Sequence, residues 1–171
     1  MQPDKIHSLL KKVQSKSCSI EEAMAVLAHL PYSDLGMAKV DHHRALRCGF
    51  AEVVFGSGKT PGDIVRIVQN GLKGAPCILV TRVDAGAADL LLKNFPAAEY
   101  NPRARTVRVG TPVSMPSSGE VIVVSAGTSD IPVAEEAVET LRAFGCLVRS
   151  HYDVGVAGLH RVLDVLPKLQ Q

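Results

Sequence analysis

Tryptophan is absent from this 171-residue chain, and 3 Tyr with 4 Phe leave aromatic residues at only 4%. Any core must therefore be built from Val, Leu, Ile and Ala, a composition that favours buried parallel strands covered by helices. No run of apolar residues approaches the length of a membrane span. The opening stretch MQPDKIHSLLKK has neither the apolar segment nor the small-residue cleavage site of a secretory signal, which predicts a cytoplasmic protein. Charge of one sign is not in excess: a net charge of +2 gives no reason to expect nucleic acid or a membrane as partner. The cysteines Cys18, Cys48, Cys77 and Cys146 form no CxxC pair, and no His stands at zinc-finger spacing from one. They read as free thiols in a reducing compartment, and no resident metal site is expected from them.

What is present is pattern. Residues from Asp4 to Leu30 read as two helices, the first with Ile6, Leu9, Leu10 and Val13 on one face. The second opens at Ser19 as N-cap, with Glu21 and Glu22 in its first turn and Ile20, Ala23, Met24 and Leu27 at helical spacing. Pro31–Val40 has turn residues and no sustained period, so it reads as a linker. From Val40 the pattern alternates. Ala51–Gly56 is a short apolar strand, ended by the turn GSGK. Thr60 and Pro61 then open a helix that stops near Gly71 or Gly74. Cys77–Arg82 is a buried strand and Asp84–Phe95 a helix, while AAEY and TVRVG are weaker strands around the turn NPRA.

A loop-like block, Thr111–Gly119, marks a boundary. Beyond it Glu120–Gly127 is the clearest strand in the chain. It feeds a helix expected to bury Val133, Ala137, Leu141 and Phe144 and to stop at Gly145. Leu147–Gly155 is the next strand and turn, with a helix from Val156 to Leu169 after it. Strand, helix, strand, helix at this spacing begins a doubly wound parallel sheet. The expected organisation is a helical segment over 1–36, a small α/β domain over 37–112, and the first half of a three-layer αβα sheet over 119–171. An uncovered parallel edge of Val and Ile predicts more chain or a homo-oligomer.

Three clusters could carry chemistry. In SAGTSDIPVAEE the turn Gly127-Thr128-Ser129 joins a strand end to a helix start, where backbone amides suit a phosphate or carboxylate. Thr128 or Ser129 would cap the helix, with Asp130 beside the same crevice. In SHYDVGVAGLHR, His151, Asp153 and Gly155 come after the next strand and face that crevice. His151 could carry a proton or bond a nucleotide, and His160 and Arg161 could reach a phosphate. The third cluster is Asp41-His42-His43-Arg44 with Arg47. Adjacent histidines on a helix point about 100° apart, which disfavours a shared metal; an anion pocket of Arg44, Arg47 and Lys59 fits better. GSGK lacks the spacing of a phosphate-binding Walker loop, which argues against ATP hydrolysis.

These stretches also resemble a known family. SAGTSDIPVAEEA is similar to the glycine–serine–aspartate signature of PurE-type carboxylases, and SHYDVGVAGLHR to the segment after their second strand. DHHRALRCGFAEVVFGSGKT and CILVTRVDAGAADLL have no PurE counterpart and resemble the N-terminal domain of LarB, whose family joins such a domain to a PurE-like one. The resemblance implies carboxylation of the pyridinium ring of nicotinic acid adenine dinucleotide by carbon dioxide or bicarbonate. Phosphoanhydride cleavage would release AMP, in the making of the nickel-pincer nucleotide cofactor. Magnesium is expected beside the pyrophosphate, with no tightly bound organic cofactor.

By the same resemblance Asp130, His151 and Asp41 would act in catalysis. Gly127, Thr128, Ser129, His42, Arg44, Arg47, Asp153 and Gly155 would bind substrate. The family's nucleophilic cysteine falls in a part beyond Gln171, and none of the 4 cysteines here stands in its place. This chain is then expected to be the substrate-binding portion of an incomplete fold. Alternative readings are a PurE-like carboxylase or mutase of aminoimidazole ribonucleotide, and a non-catalytic nucleotide-binding or assembly module.

Overall fold

A computed structural model describes residues 3–28, 33–34, 36, 38–41, 44, 50, 52–112 and 119–170. The chain opens with a helical hairpin, α1 (Pro3–Gln14) and α2 (Ile20–Ala28). Ser19 starts α2 through a reciprocal cap: its Oγ accepts from Glu22 N–H at 3.0 Å, and its own N–H donates to Glu22 Oε2 at 2.8 Å. The two helices pack on each other, and Ala23 is buried between them and their surroundings. Leu10, Ile20 and Met24 stay exposed, so the expected apolar stripes are only partly covered. The segment expected as a plain linker instead holds a two-stranded antiparallel ribbon, β1 (Ser33–Asp34) with β2 (Lys39–Val40). Gly36, at φ +79°, supplies the left-handed residue between its strands. Val40 leaves the ribbon pointing into the main core.

That core lies against a four-stranded sheet. It runs β3 (Val53–Phe55), α3 (Pro61–Gly71), β4 (Cys77–Thr81), α4 (Ala85–Asn94), β5 (Glu99–Asn101) and β6 (Thr106–Gly110), in spatial order β3-β4-β6-β5. Both helices start at side-chain caps. Thr60 Oγ1 accepts from Asp63 N–H at 3.2 Å, and Asp84 Oδ1 accepts from Ala87 N–H at 2.8 Å. β3 and β4 are parallel, as a strand–helix–strand crossover requires, but β6 runs antiparallel to both β4 and β5. The first sheet is therefore mixed, while the parallel pairing expected beyond residue 119 is found in a separate strand pair. The turn between β5 and β6 is too short for a crossover and can only reverse the chain. Asn101 secures that turn, its Oδ1 accepting from Arg103 and Ala104 N–H at 3.1 Å each.

One face of the sheet presents Ile78, Val80, Val107 and Val109 to α3 and α4, where Ile64, Val68, Ala87, Ala88 and Leu91 complete the core. Residues alternate along a strand, so Leu79 and Thr106, each 1% exposed, belong to the opposite face. That face is covered by α5 (Ile131–Ala143), which packs on both β4 and β6. α5 also packs on the parallel pair β7 (Val121–Val124) and β8 (Val148–His151), and α6 (Leu159–Leu169) comes after β8. Serving two sheets, α5 buries Ala134 and Val138. Val133 is 62% exposed and Ala137 is exposed too, which corrects the face expected from spacing; Leu141 and Phe144 are half-buried. Helix α6 buries no residue, and Leu159, Leu163 and Leu166 are exposed. Among the described residues no helix is long and apolar enough to cross a membrane.

Candidate functional site

β7 and β8 end side by side, and Ser125 ties the loops at their carboxyl ends together. Its N–H donates to His151 O at 3.1 Å, and its carbonyl accepts from Val154 N–H at 2.9 Å. Gly155 lets the two loops close: a Cβ there would stand 3.1 Å from Ala126 O. The loop after β7 tightens into a single 3-10 turn, Thr128–Asp130, before α5 begins. Its cap differs from the expected one. Neither Thr128 nor Ser129 caps the helix with its side chain; Asp130 Oδ2 accepts from Gly127 N–H at 2.9 Å, and Asp130 N–H donates to Gly127 O at 3.0 Å. A carboxylate reaches a turn amide from three residues ahead as well as a hydroxyl does from behind, and its charge suits the helix N-terminus. Thr128, Ser129 and Asp130 are all exposed to solvent.

Two polar atoms at these strand ends are buried with no hydrogen-bond partner, Ser125 Oγ and His151 Nε2. Such atoms are uncommon, and where they face a crevice they favour a missing polar ligand. Tyr152 comes next. Burial raises its phenol above the ordinary range; a hydrogen bond with Ser150 opposes this, and one with Glu135 adds to it. Asp153 adopts φ +61°, a conformation tolerated by Asp, and its Oδ1 pairs with Arg161 Nη1 at 2.6 Å. The guanidinium crosses Gly158 so closely that a Cβ there would lie 2.5 Å from Arg161 Nε. Between this loop and α6 lies an open depression of 530 Å³ lined by Tyr152, Asp153, His160, Arg161 and Asp164.

The structure brings Gly127, Thr128, Ser129, Asp130, His151, Asp153 and Gly155 to one end of the β7–β8 pair. It does not bring Arg44 there. Arg44 lies over the Phe50 ring at 5.8 Å, and Phe50 stacks on Phe144 with centroids 4.3 Å apart. Phe144 stands just past the last turn of α5, whereas Asp130 precedes its first, so about 20 Å of helix separates them. The Asp41 N–H donates to Glu52 Oε2 at 3.1 Å, just before β3. His42, His43 and Arg47 lie outside the described residues. Lys59 donates to Phe55 O at 2.7 Å and lines a separate cavity of 300 Å³ with Val40, Glu52 and Ile67.

Residues 32–111 match the family described as the LarB/PurE-like N-terminal domain. Over these residues the chain is similar to a LarB-family domain. Its mixed sheet, flanked by helices and continued by a parallel strand pair, is consistent with a PurE-like αβα arrangement. The chain is also 34% identical over 138 residues to an uncharacterized protein of Methanocaldococcus jannaschii, covering 77% of this chain and 54% of that one. It spans about half the length of this relative.

The link from the first sheet to α5 runs through a residue that sequence reasoning passed over. Arg82, directly after β4, pairs through Nε with Glu136 Oε2 at 2.7 Å, in the second turn of α5. Asn101 joins it, donating to Glu135 at 2.9 Å and Glu139 at 3.3 Å. Among the described residues no group of three His, Cys, Asp or Glu could hold a metal ion.

Proposed function

We propose that this chain is the substrate-binding portion of a LarB-type enzyme that carboxylates the pyridinium ring of nicotinic acid adenine dinucleotide and cleaves its phosphoanhydride, releasing AMP. The observation that carries this reading is the LarB-family match over residues 32–111, on a chain whose next two strands end in loops tied together at Ser125. Ser129 and Asp130 would take the nucleotide, with Gly127 and Thr128 supplying the turn. His151 would face substrate through Nε2, the nitrogen left without a partner. A magnesium ion suits such a turn. Asp130 engages one oxygen on Gly127 and keeps the other, and magnesium binds through one or two carboxylates plus substrate phosphates. When bound it would neutralise pyrophosphate charge. Arg44 and Asp41, with His42 and Arg47, would then serve a remote part of the ligand or a neighbouring copy.

An electron-poor pyridinium must gain electron density before it can attack carbon dioxide, and a thiolate addition supplies it. The described cysteines are not at the crevice. Cys77 opens β4 and Cys146 precedes β8, both at the amino ends of strands, while Cys18 lies between α1 and α2. This favours binding over turnover for the chain on its own, and it equally favours a nucleotide-binding or assembly module. Self-association belongs to the reading: among the described residues β7 and β8 pair only with each other, and the leucines of α6 are exposed.

Titration calorimetry with nicotinic acid adenine dinucleotide and magnesium tests the proposal. Binding that is abolished in the Ser129→Ala/Asp130→Ala double variant supports it. Preference for aminoimidazole ribonucleotide would point to the purine-type carboxylase instead, and no binding of either by folded protein would reject both.

A further inference from the structure

The strand pair and its two loops form one complete strand–helix–strand unit. It runs from Val121 to His151, with β7 and β8 parallel and adjacent in the register Val121↔Val148 to Val124↔His151. In such a unit a phosphate seated on the turn after the first strand leaves its ribose over the end of the second, one strand away. An acidic side chain placed there reaches the sugar hydroxyls. Asp153 holds that position. It stands two residues beyond β8, and its neighbour Val154 is bonded to Ser125 beside the glycine turn.

We infer that the 530 Å³ depression beside Asp153 is a subsite for the cis-diol of a ribonucleotide, with the Asp153 carboxylate as acceptor of its hydroxyls. Its size falls within the range of small-molecule pockets, about 300–1,000 Å³. Arg161 does not compete for this role. Its Nη1 occupies Oδ1 of Asp153 at 2.6 Å, and a carboxylate has about four acceptor positions, so the pair orients the group and leaves Oδ2 for the sugar. Arg161 in turn lies across Gly158, where a Cβ would stand 2.5 Å from its Nε. Tyr152, His160 and Asp164 line the subsite beside Asp153 and Arg161. Asp153 tolerates its left-handed backbone, and so does Asn, which makes Asp153→Asn a substitution that removes charge without backbone strain.

The inference rests on the nucleotide reading of the crevice but not on pyridinium carboxylation. The test therefore uses AMP, 2′,3′-dideoxy-AMP and inorganic phosphate as probes, titrated calorimetrically into this 171-residue chain. AMP is expected to bind about tenfold tighter than the dideoxy nucleotide, the effect of hydrogen bonds to a charged acceptor. In Asp153→Asn that preference should fall below about threefold, with affinity for the dideoxy nucleotide and for phosphate unchanged. Equal affinity of the unaltered protein for the two nucleotides, or none for either, overturns the subsite, and this comparison needs no variant. A preference that survives Asp153→Asn also overturns it and leaves Asp153–Arg161 as an ion pair of the loop alone. If AMP discriminates as expected while nicotinic acid adenine dinucleotide fails to bind, the subsite stands and the LarB-type substrate is the part that falls.

Discussion

Arg82 and Glu136 meet at 2.7 Å, linking the carboxyl end of β4 to the second turn of α5. Their side chains are 45% and 20% exposed, so water screens most of the attraction. Glu136→Gln should therefore cost under about 1 kcal/mol in a denaturant titration. Arg82 also sits at φ +54°, where glycine is at ease, so Arg82→Gly should be no more destabilising than Arg82→Ala. A loss above about 3 kcal/mol for Glu136→Gln would mean that the pair is far better shielded than its exposure indicates.

Asn101 is the costlier member of the same junction. Its carbonyl holds the β5–β6 turn and its amide holds two glutamates of α5. Asn101→Ala removes all four bonds, and with net contributions near 1 kcal/mol each, less for exposed partners, a loss of roughly 2–3 kcal/mol is expected. Thermal denaturation should show a single shifted transition. Asn101→Asp keeps the turn bonds but faces Glu135 and Glu139 with like charge, and should be no better than Ala.

Asp130 separates folding from binding. Asp130→Ala uncaps Gly127 N–H and should destabilise by about 0.5–2 kcal/mol without any ligand present. Asp130→Asn retains an acceptor for that amide and should recover most of the stability. If Asp130 also serves a nucleotide–magnesium complex, Asp130→Asn should still lower its affinity at least tenfold, read by calorimetry beside the melting curve.

Cys77 should be the slowest of Cys18, Cys77 and Cys146 to be alkylated in the native protein. It is 4% exposed, and burial raises its thiol above the ordinary range, with Arg108 opposing and Glu99 assisting. Peptide mapping after timed iodoacetamide treatment reads the order. The shift also sets a pH dependence. A group whose folded value is raised holds its proton in the native state after the unfolded chain has lost it. Stability is then full below the unfolded thiol value and declines as pH climbs past it. Tyr152, raised by burial in the same sense, extends the decline further into the alkaline range. A chain as stable at pH 10 as at pH 8 would contradict the Cys77 assignment.

The local features were legible in the sequence because local chemistry produces them. Thr60-Pro61 and Asp84 announced two helices that begin where those residues cap them, and Cys77–Thr81 announced a strand buried along its whole length. The parallel pairing of β7 with β8 was implied by the helix between them. The expectations that failed depended on partners far off in sequence. Val133 and Ala137 keep helical spacing as well as Ala134 and Val138 do. Only the position of the first sheet decides which stripe is covered. Asp130 outcompeted Ser129 as a cap because a carboxylate three residues along could fold back, which composition does not distinguish. Arg82 read as the end of a strand and Asn101 as a turn residue, and their meeting with α5 is invisible without the fold.

The double duty of α5 has a consequence for synthesis on the ribosome. Residues 52–112 contain every strand of the first sheet and the two helices that cover one of its faces. The other face, with Leu79, Thr81 and Thr106, gains its roof only when residues 131–143 have left the exit tunnel. At about 5–20 residues per second, this half-finished sheet shows a wet apolar surface for a few seconds in every round of translation. That interval, and not the finished protein, is when the molecule has most need of a chaperone.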